Sequence, residues 1–236
     1  MDFIDKLLKN NCVIDTSLLS NFVFTGRAHL LQQLVGGPVY ITPAVMDPAE
    51  TLLPNLYSFA PRCEFLKPLH EVFANSDERY AVAAPFIQSF ALGSGTLWQP
   101  IELTADELVL SRRYSDRAIW KETTGVDGRF KKRGLGAGEA EACAVAVTRG
   151  WSLLLDDQPA VELLKGLGLS IPIARTCGLL QHAVESTYLT CDDAMQLFNS
   201  EIVDRFGFHA TRLQGAERQR LWFRCNPVPQ CVWEAA

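Results

Sequence analysis

Residues 138–157 decide the fold of this chain, and their sequence is GEAEACAVAVTRGWSLLLDD. The alanine-rich part has high helix propensity and lets neighbouring elements approach closely, and Gly150 is a typical helix stop. Leu153–Leu155 is a short apolar run of the kind that fills a buried parallel strand. The stretch therefore predicts a helix that begins with carboxylates and a buried strand that ends in Asp156 and Asp157.

A second apolar run, Cys12–Ile14, is followed at once by Asp15 and then by apolar residues at helical spacing. We expect this run to be a central strand that leads into a helix. Ligands of open α/β sheets bind beyond the carboxyl ends of the strands. Asp15 is therefore expected at the same sheet edge as Asp156 and Asp157. Glu139 lies in the first turn of the helix that precedes the later strand.

The rest of the chain alternates strands and helices. Pro38–Thr42 and Leu169–Ala174 have the pattern of further strands, and residues 51–95 are mostly helical by pattern. This order predicts an α/β fold with a mainly parallel central sheet, covered on both faces and interrupted by a helical insert. Trp98–Leu103 fits a short edge strand. Further helices are expected at Thr104–Trp120, Thr176–Tyr188 and Asp192–Val203.

The composition is that of a globular chain. It has 236 residues, 48% hydrophobic and 21% charged, enough for one large domain or a domain with an extension. The net charge of −5 argues against a wholesale cationic nucleic-acid binder, but it is compatible with an acidic metal site beside a local basic patch. No signal peptide or bilayer-spanning run is evident, so we expect a cytoplasmic protein without membrane contact. The seven scattered cysteines contain no CxxC pair, which predicts reduced thiols.

Carboxylates on three elements, with no His or Cys cluster beside them, suit a hard divalent cation such as Mg²⁺ or Mn²⁺. Gathered carboxylates repel one another, which raises their pKa, and a bound cation removes that cost. Each acid also has an ordinary structural interpretation. Asp15, Asp156 and Asp157 are suited to capping helices or turns. Glu139 would complement a helix dipole, and Glu141 is better explained as a solvated helix residue than as a ligand.

The ordered set of motifs resembles the PIN-domain family, and most closely its prokaryotic branch of VapC-type toxins and their relatives. The motifs are Val13–Leu19, Gly138–Ala142, Leu153–Asp157, Gly168–Ala174 and Cys177–Leu180. The resemblance covers about residues 11–44 and 134–208. It implies a three-layer α/β/α nuclease domain over 1–208, with a helical insert at about 51–133 and a C-terminal extension at 209–236.

The resemblance implies a metal-dependent ribonuclease that hydrolyses the phosphodiester bonds of RNA. Carried over by position, Asp15, Glu139 and Asp157 are catalytic metal ligands, and Asp156 shares that role. One or two Mg²⁺ or Mn²⁺ ions would lower the pKa of a bound water and neutralise charge on the scissile phosphate. The partners implied are an RNA substrate, an antitoxin-like inhibitor protein and a second copy of the chain.

The chain departs from the family pattern at one acid. The family usually carries a further acid three residues beyond a Val after the second strand, and here Pro48 stands three residues beyond Val45. Asp47 or Glu50 would substitute for it in a shifted register. If neither does, the metal site is one ligand short. The alternative function is then a catalytically inactive PIN-like module that binds RNA or a protein partner.

Binding of RNA needs positive charge beside the acids. A basic cluster lies just before Gly138, and contact of this cluster with the RNA backbone is about as plausible as a solvated basic loop. Its members are Arg129, Lys131, Lys132 and Arg133.

The residues after Asp15 bear on a third interpretation, a phosphate domain of the haloacid-dehalogenase or receiver type with Asp15 as nucleophile. Many such phosphotransferases carry a second Asp two residues on, where this chain has Ser17. The serine at this position argues against the third interpretation. In the nuclease interpretation, Thr16 or Ser17 supports Asp15 through a hydrogen bond.

Overall fold

A six-stranded sheet forms the centre of the computed structural model, which describes residues 7–51, 62–67, 78–91, 98–123, 134–205 and 232–234. The strands are β1 (Cys12–Ile14), β2 (Val39–Ile41), β3 (Trp98–Pro100), β4 (Ser152–Leu154), β5 (Pro172–Ala174) and β6 (Val232–Glu234). Their spatial order is β3–β2–β1–β4–β5–β6. The first five are parallel and β6 pairs antiparallel with β5, so the predicted α/β class with a mainly parallel sheet is confirmed.

Helices cover the sheet. In chain order they are α1 (Thr16–Val23), α2 (Ala28–Leu34), α3 (Pro48–Thr51), α4 (Glu78–Ala91), α5 (Ala105–Ser115), a 3-10 helix (Arg117–Lys121), α6 (Ala137–Arg149), α7 (Gln158–Gly166), α8 (Thr176–Glu185), α9 (Cys191–Gln196) and a π-helix (Leu197–Arg205). No helix in these described ranges is long and apolar enough to cross a bilayer.

Two hydrophobic cores lie on opposite faces of the sheet because successive strand side chains point to opposite sides. Cys12 and Ile14 of β1 pack with α1, α2, α4 and α8 in one core. Val13 packs with α5, α6 and α7 in the other. The described elements therefore form three layers, with the sheet in the middle.

The strand register brings the ends of β1, β2 and β4 level with one another. Ile14 pairs with Ile41 on one side and Leu154 on the other. The N–H of Asp15 donates to the carbonyl oxygen of Leu154 at 3.0 Å, which extends the pairing by one residue. The residues that follow these strands consequently share one edge of the sheet.

The helix predicted over Thr104–Trp120 is divided in two. It ends at Ser115 because Asp116 has an extended backbone, with ψ of 124°, and accepts a capping hydrogen bond from the N–H of Ala118 at 2.8 Å. The helix predicted over Thr176–Tyr188 ends at Glu185. The one predicted over Asp192–Val203 continues from α9 into the π-helix.

The long region 51–133 contributes to the sheet as well as to the helical layers. The edge strand expected near Trp98 is confirmed as β3, which pairs in parallel with β2. From the extension 209–236, the structure describes only β6.

The prediction of reduced thiols is wrong at two positions, because Cys177 and Cys191 each take part in a disulfide bond. Cys12, Cys63 and Cys143 are free and buried. Burial raises the pKa of Cys12 and of Cys63 to about 12, so both remain protonated thiols at neutral pH.

Candidate metal centre

The carboxyl ends of the neighbouring strands β1 and β4 supply three buried acids. Asp15 follows β1 directly, and Asp156 and Asp157 follow β4 after one residue. Their exposed fractions are 0%, 6% and 5%. The structure thus places all three aspartates at the sheet edge that the sequence predicted.

Asp15 is both a helix cap and a member of an acidic group. Its Oδ1 accepts a hydrogen bond from the N–H of Leu18 at 2.9 Å, and its Oδ2 accepts one from the hydroxyl of Ser17 at 2.5 Å. Burial raises the pKa of Asp15 well above its ordinary value, and the charges of Asp156 and Glu139 raise it further. The two hydrogen bonds oppose this shift but do not reverse it. The negative charges of Asp156 and Glu139 therefore act on the buried carboxyl group of Asp15.

Asp156 joins three elements through its carboxylate. Oδ1 accepts from the backbone N–H of Thr176 at 2.9 Å, and Oδ2 accepts from the hydroxyl of Thr176 at 2.5 Å. Oδ2 also accepts from the amide of Asn21 at 2.9 Å. These bonds connect the end of β4 to α1 and α8, and they occupy much of the capacity of Asp156 to bind anything else.

Sequence reasoning missed Asn21 and Thr176 as partners of Asp156. One signal was present for Asn21, which is a polar residue within the mostly apolar run of buried residues in α1. Buried amides and hydroxyls are normally hydrogen-bonded, so such a residue implies a polar partner. Which partner it finds depends on tertiary packing.

Glu139 and Asp157 complete the predicted set. The Oε2 of Glu139 accepts from the N–H of Gly136 at 3.1 Å in the first turn of α6. Asp157 stands at the N-cap of α7, but its side chain makes no capping hydrogen bond. The charges of Glu139, Asp15 and Asp157 all raise the pKa of the buried Cys143 thiol, after the larger effect of burial itself. All three acids therefore lie within electrostatic reach of one point on α6.

A further acid at this edge, Glu64, was not predicted. The hydroxyl of Thr16 donates to its Oε2 at 3.1 Å. The N–H of Glu64 donates to the carbonyl of Ala44 at 2.7 Å, which fixes the segment beside the turn after β2. The available signal was an acid between the buried Cys63 and Phe65, a place where charges are uncommon. We call Asp15, Glu64, Glu139, Asp156 and Asp157 together the acid edge.

Gly138 allows the close approach of α6 to Glu64. A Cβ at position 138 would lie 2.6 Å from Oε2 of Glu64 and 2.7 Å from Oγ1 of Thr16. Both distances are shorter than any normal contact. The glycine at the start of α6 is therefore needed for this part of the acid edge.

The sequence predicted that Asp47 or Glu50 replaces the missing family acid, and the structure describes the surroundings of both residues. Oε2 of Glu50 accepts from the backbone N–H groups of Arg62 and Cys63, at 2.9 and 3.1 Å, and so orders the segment that carries Glu64. Asp47 lines a cavity of about 420 Å³ at the ends of β2 and β3.

Glu141 is not the solvated residue that the sequence predicted. It is half-buried, and its Oε2 accepts from the N–H of Ala44 at 2.8 Å. Burial raises its pKa, an effect that the hydrogen bond from Ala44 opposes. Glu141 thus holds the turn after β2 against α6.

Ser17 supports Asp15 by a hydrogen bond, as expected, whereas Thr16 donates its hydrogen bond to Glu64 instead.

The predicted basic cluster, Arg129, Lys131, Lys132 and Arg133, lies outside the described residues. Within the described part of the chain, no three His, Cys, Asp or Glu side chains are placed to hold one metal ion together.

Comparison with models of known protein families, with curated proteins and with solved structures found no match to this chain.

Proposed function

We propose that this chain is a PIN-like nuclease that hydrolyses RNA phosphodiester bonds with Mg²⁺ or Mn²⁺ held at the acid edge. The observation that carries the proposal is the environment of Asp15. This carboxyl is fully buried, and the charges of Asp156 and Glu139 raise its pKa further. A divalent cation would remove that repulsion and keep the acids ionised.

The acid edge supplies the type of donor atom that a hard cation prefers. Asp15, Glu139 and Asp157 would hold it through carboxylate oxygens, which Mg²⁺ and Mn²⁺ prefer. Asp15 keeps acceptor capacity despite its two hydrogen bonds, since an ionised carboxylate has about four lone-pair sites. The thiol of Cys143, whose pKa is raised by burial, would remain protonated and would not compete as a thiolate. A bound ion would supply an activated water and would neutralise charge on the phosphate.

Neighbouring groups would hold the acids ready for the ion. Ser17 and the N–H of Leu18 fix both oxygens of Asp15. Thr16 fixes Glu64. Asp156 would act by positioning the end of β4, since its oxygens already accept three hydrogen bonds. Such supporting bonds reduce the reorganisation needed when an ion binds.

The second candidate is a catalytically inactive module that binds RNA or a protein partner. It is favoured by the spacing of the acids, since among the described residues no three of them surround a common point closely enough to share an ion. The two candidates differ in their response to Mn²⁺. The nuclease needs the ion for cleavage, whereas the inactive module binds its partner without any turnover.

The deciding experiment measures cleavage of end-labelled structured and unstructured RNA with Mn²⁺, with Mg²⁺ and with EDTA. We expect wild-type cleavage only with a divalent ion, and a loss of at least about 100-fold in Asp15→Asn and Glu139→Gln, as typical for the removal of one essential catalytic group. Asp106→Asn removes an exposed carboxylate on α5 and should leave the rate unchanged. Absence of wild-type cleavage, or equal rates in all variants, would refute the nuclease.

A further inference from the structure

Arg175 lies at the carboxyl end of β5, the strand beside β4. Its Nη2 donates to the backbone carbonyl oxygen of Asp156 at 2.8 Å, and its Nη1 donates to Oε1 of Gln158 at 3.2 Å. These two bonds hold the guanidinium against the link between β4 and α7. That link carries Asp156 and Asp157, so a fixed positive charge stands directly beside the acid edge.

Neither acceptor of Arg175 is charged. The carboxylate of Asp156 accepts its hydrogen bonds from Asn21 and Thr176 instead. Among the described residues, Arg175 forms no ion pair, and its buried Nε has no hydrogen-bond acceptor.

Arg149 shows how a comparable arginine is satisfied elsewhere in the fold. Its guanidinium donates twice to the carboxylate of Glu107, at 2.6 and 2.8 Å. A half-buried guanidinium ordinarily pairs with an anion in this way, because partial burial of an uncompensated charge is costly. Arg175 lacks such a direct partner among the described residues, so its guanidinium can pair with an anionic ligand.

We propose that Arg175 is the phosphate-binding residue of the site, and that it contacts a phosphodiester of the RNA strand next to the one at the cation. This inference rests on the proposed function for the choice of RNA as ligand. The planar guanidinium fork matches two phosphate oxygens, which a carbonyl and an amide cannot replace as counter-charges. Arg175 accordingly contributes to strand affinity and position, and the acids contribute to hydrolysis.

The test uses the full chain and a short fluorescein-labelled RNA that carries 2′-O-methyl groups. Fluorescence anisotropy with Mg²⁺ over a series of KCl concentrations gives the affinity and its salt dependence. In Arg175→Gln we expect about tenfold weaker binding, the loss expected for one charged hydrogen-bonded contact. The slope of log K against log[KCl] should fall in magnitude by about 0.7, which is the value of one phosphate contact on a single strand.

Two further variants separate charge from a structural role. Arg175→Lys keeps the charge but not the fork, so we expect the wild-type salt slope with weaker binding. Arg27→Gln removes an equal charge beyond the far end of α1 and should match the wild type. Unchanged slope and affinity in Arg175→Gln, an affinity loss without a change in slope, or a wild type that binds no RNA would each overturn the proposal.

Cleavage of unmodified RNA separates this inference from the proposed function. Wild-type protein that binds RNA through Arg175 but does not cleave it would refute the nuclease and leave the phosphate contact standing. Wild-type protein that cleaves RNA, with an Arg175→Gln variant that keeps the full salt slope, would refute the phosphate contact alone.

Discussion

Gly138 shows how a single residue determines the geometry of the acid edge. In Gly138→Ala the new Cβ would lie within 2.7 Å of both Glu64 Oε2 and Thr16 Oγ1. Both side chains must move, and we expect the hydrogen bond between them to break. The gain in helix propensity from alanine offsets part of this cost, so we expect the free energy of unfolding in urea to fall by about 1 kcal/mol.

Gly37 is the matched control for that substitution. A Cβ at position 37 would meet no atom within 4 Å, so Gly37→Ala should leave the free energy of unfolding nearly unchanged. Equal stabilities for the two alanine variants would contradict the close approach of α6 to Glu64.

The link between α5 and α6 is the clearest feature at the scale of elements. Glu107, which is fully buried, closes the capping box of α5 with Thr104 and accepts two hydrogen bonds from Arg149 at the end of α6. The hydrogen bond from Arg149 is the largest of the effects that lower the pKa of Glu107. The folded state thus favours ionised Glu107 more than the unfolded state does.

This linkage predicts a dependence of stability on pH. The stabilisation from Glu107 is complete above its unfolded pKa, near 4.5, and is lost as the pH falls through the lower folded value. In Glu107→Gln we expect a loss of about 2 kcal/mol at neutral pH and a weaker dependence of the urea midpoint on pH below 4.5.

The ion pair of Arg113 with Glu122 supplies the control for the pH experiment. Both of these side chains are about half exposed, at 54% and 48%, so solvent screens their attraction. Glu122→Gln should therefore follow the wild-type curve. A Glu107→Gln curve that is parallel to the wild type below pH 4.5 would contradict the assignment.

Elements and acids differ in how far the sequence determines them. The strands at Cys12–Ile14 and Leu153–Leu154 follow from local apolar runs, and the acids after them follow from the geometry of parallel sheets. Glu64 does not follow, because its position depends on the hydrogen bonds that Glu50 makes across a segment and on the absence of a side chain at Gly138. No local pattern contains those contacts.

The same reason explains the misjudged role of Glu141. A glutamate in a helix is most often solvated. Glu141 is half-buried because the turn after β2 packs against α6, where the N–H of Ala44 donates a hydrogen bond to its carboxylate. The division of the helix at Asp116 is easier to predict from sequence, because Asp is a common cap residue at the start of a helix. The positions of Glu64 and Glu141 thus depend on contacts between residues far apart in sequence, which local propensity does not describe.

At the scale of the whole molecule, two clusters of charged side chains are electrostatically opposite. In one cluster, Arg149 pairs with Glu107 and lies 4.8 Å from the ring centre of Trp151, which in turn stacks on Tyr40. In the acid edge, burial and the charges of Asp156 and Glu139 raise the pKa of Asp15. The first cluster is stabilised by opposite charges, and the acid edge is destabilised by like charges.

This asymmetry predicts that a divalent cation stabilises the fold through the acid edge. With Mn²⁺ at about 100 times its dissociation constant, linkage gives about 2.7 kcal/mol, or a rise in Tm of roughly 5–10 °C for a chain of this size. Differential scanning fluorimetry with Mn²⁺ and with EDTA measures the rise. We expect it to disappear in Asp15→Asn and in Asp157→Asn.

Asp15→Asn should have a second effect that distinguishes charge repulsion from simple damage. In EDTA and at neutral pH, ionised Asp15 is unfavourable because burial and the charges of Asp156 and Glu139 oppose it. Asparagine caps a helix about as well as aspartate and carries no charge. The variant should therefore melt above the wild type in EDTA and not respond to Mn²⁺, whereas Asp106→Asn should behave as the wild type in both. A lower Tm for Asp15→Asn in EDTA would show that the acid edge is not under electrostatic strain and would remove the main support for a cation there.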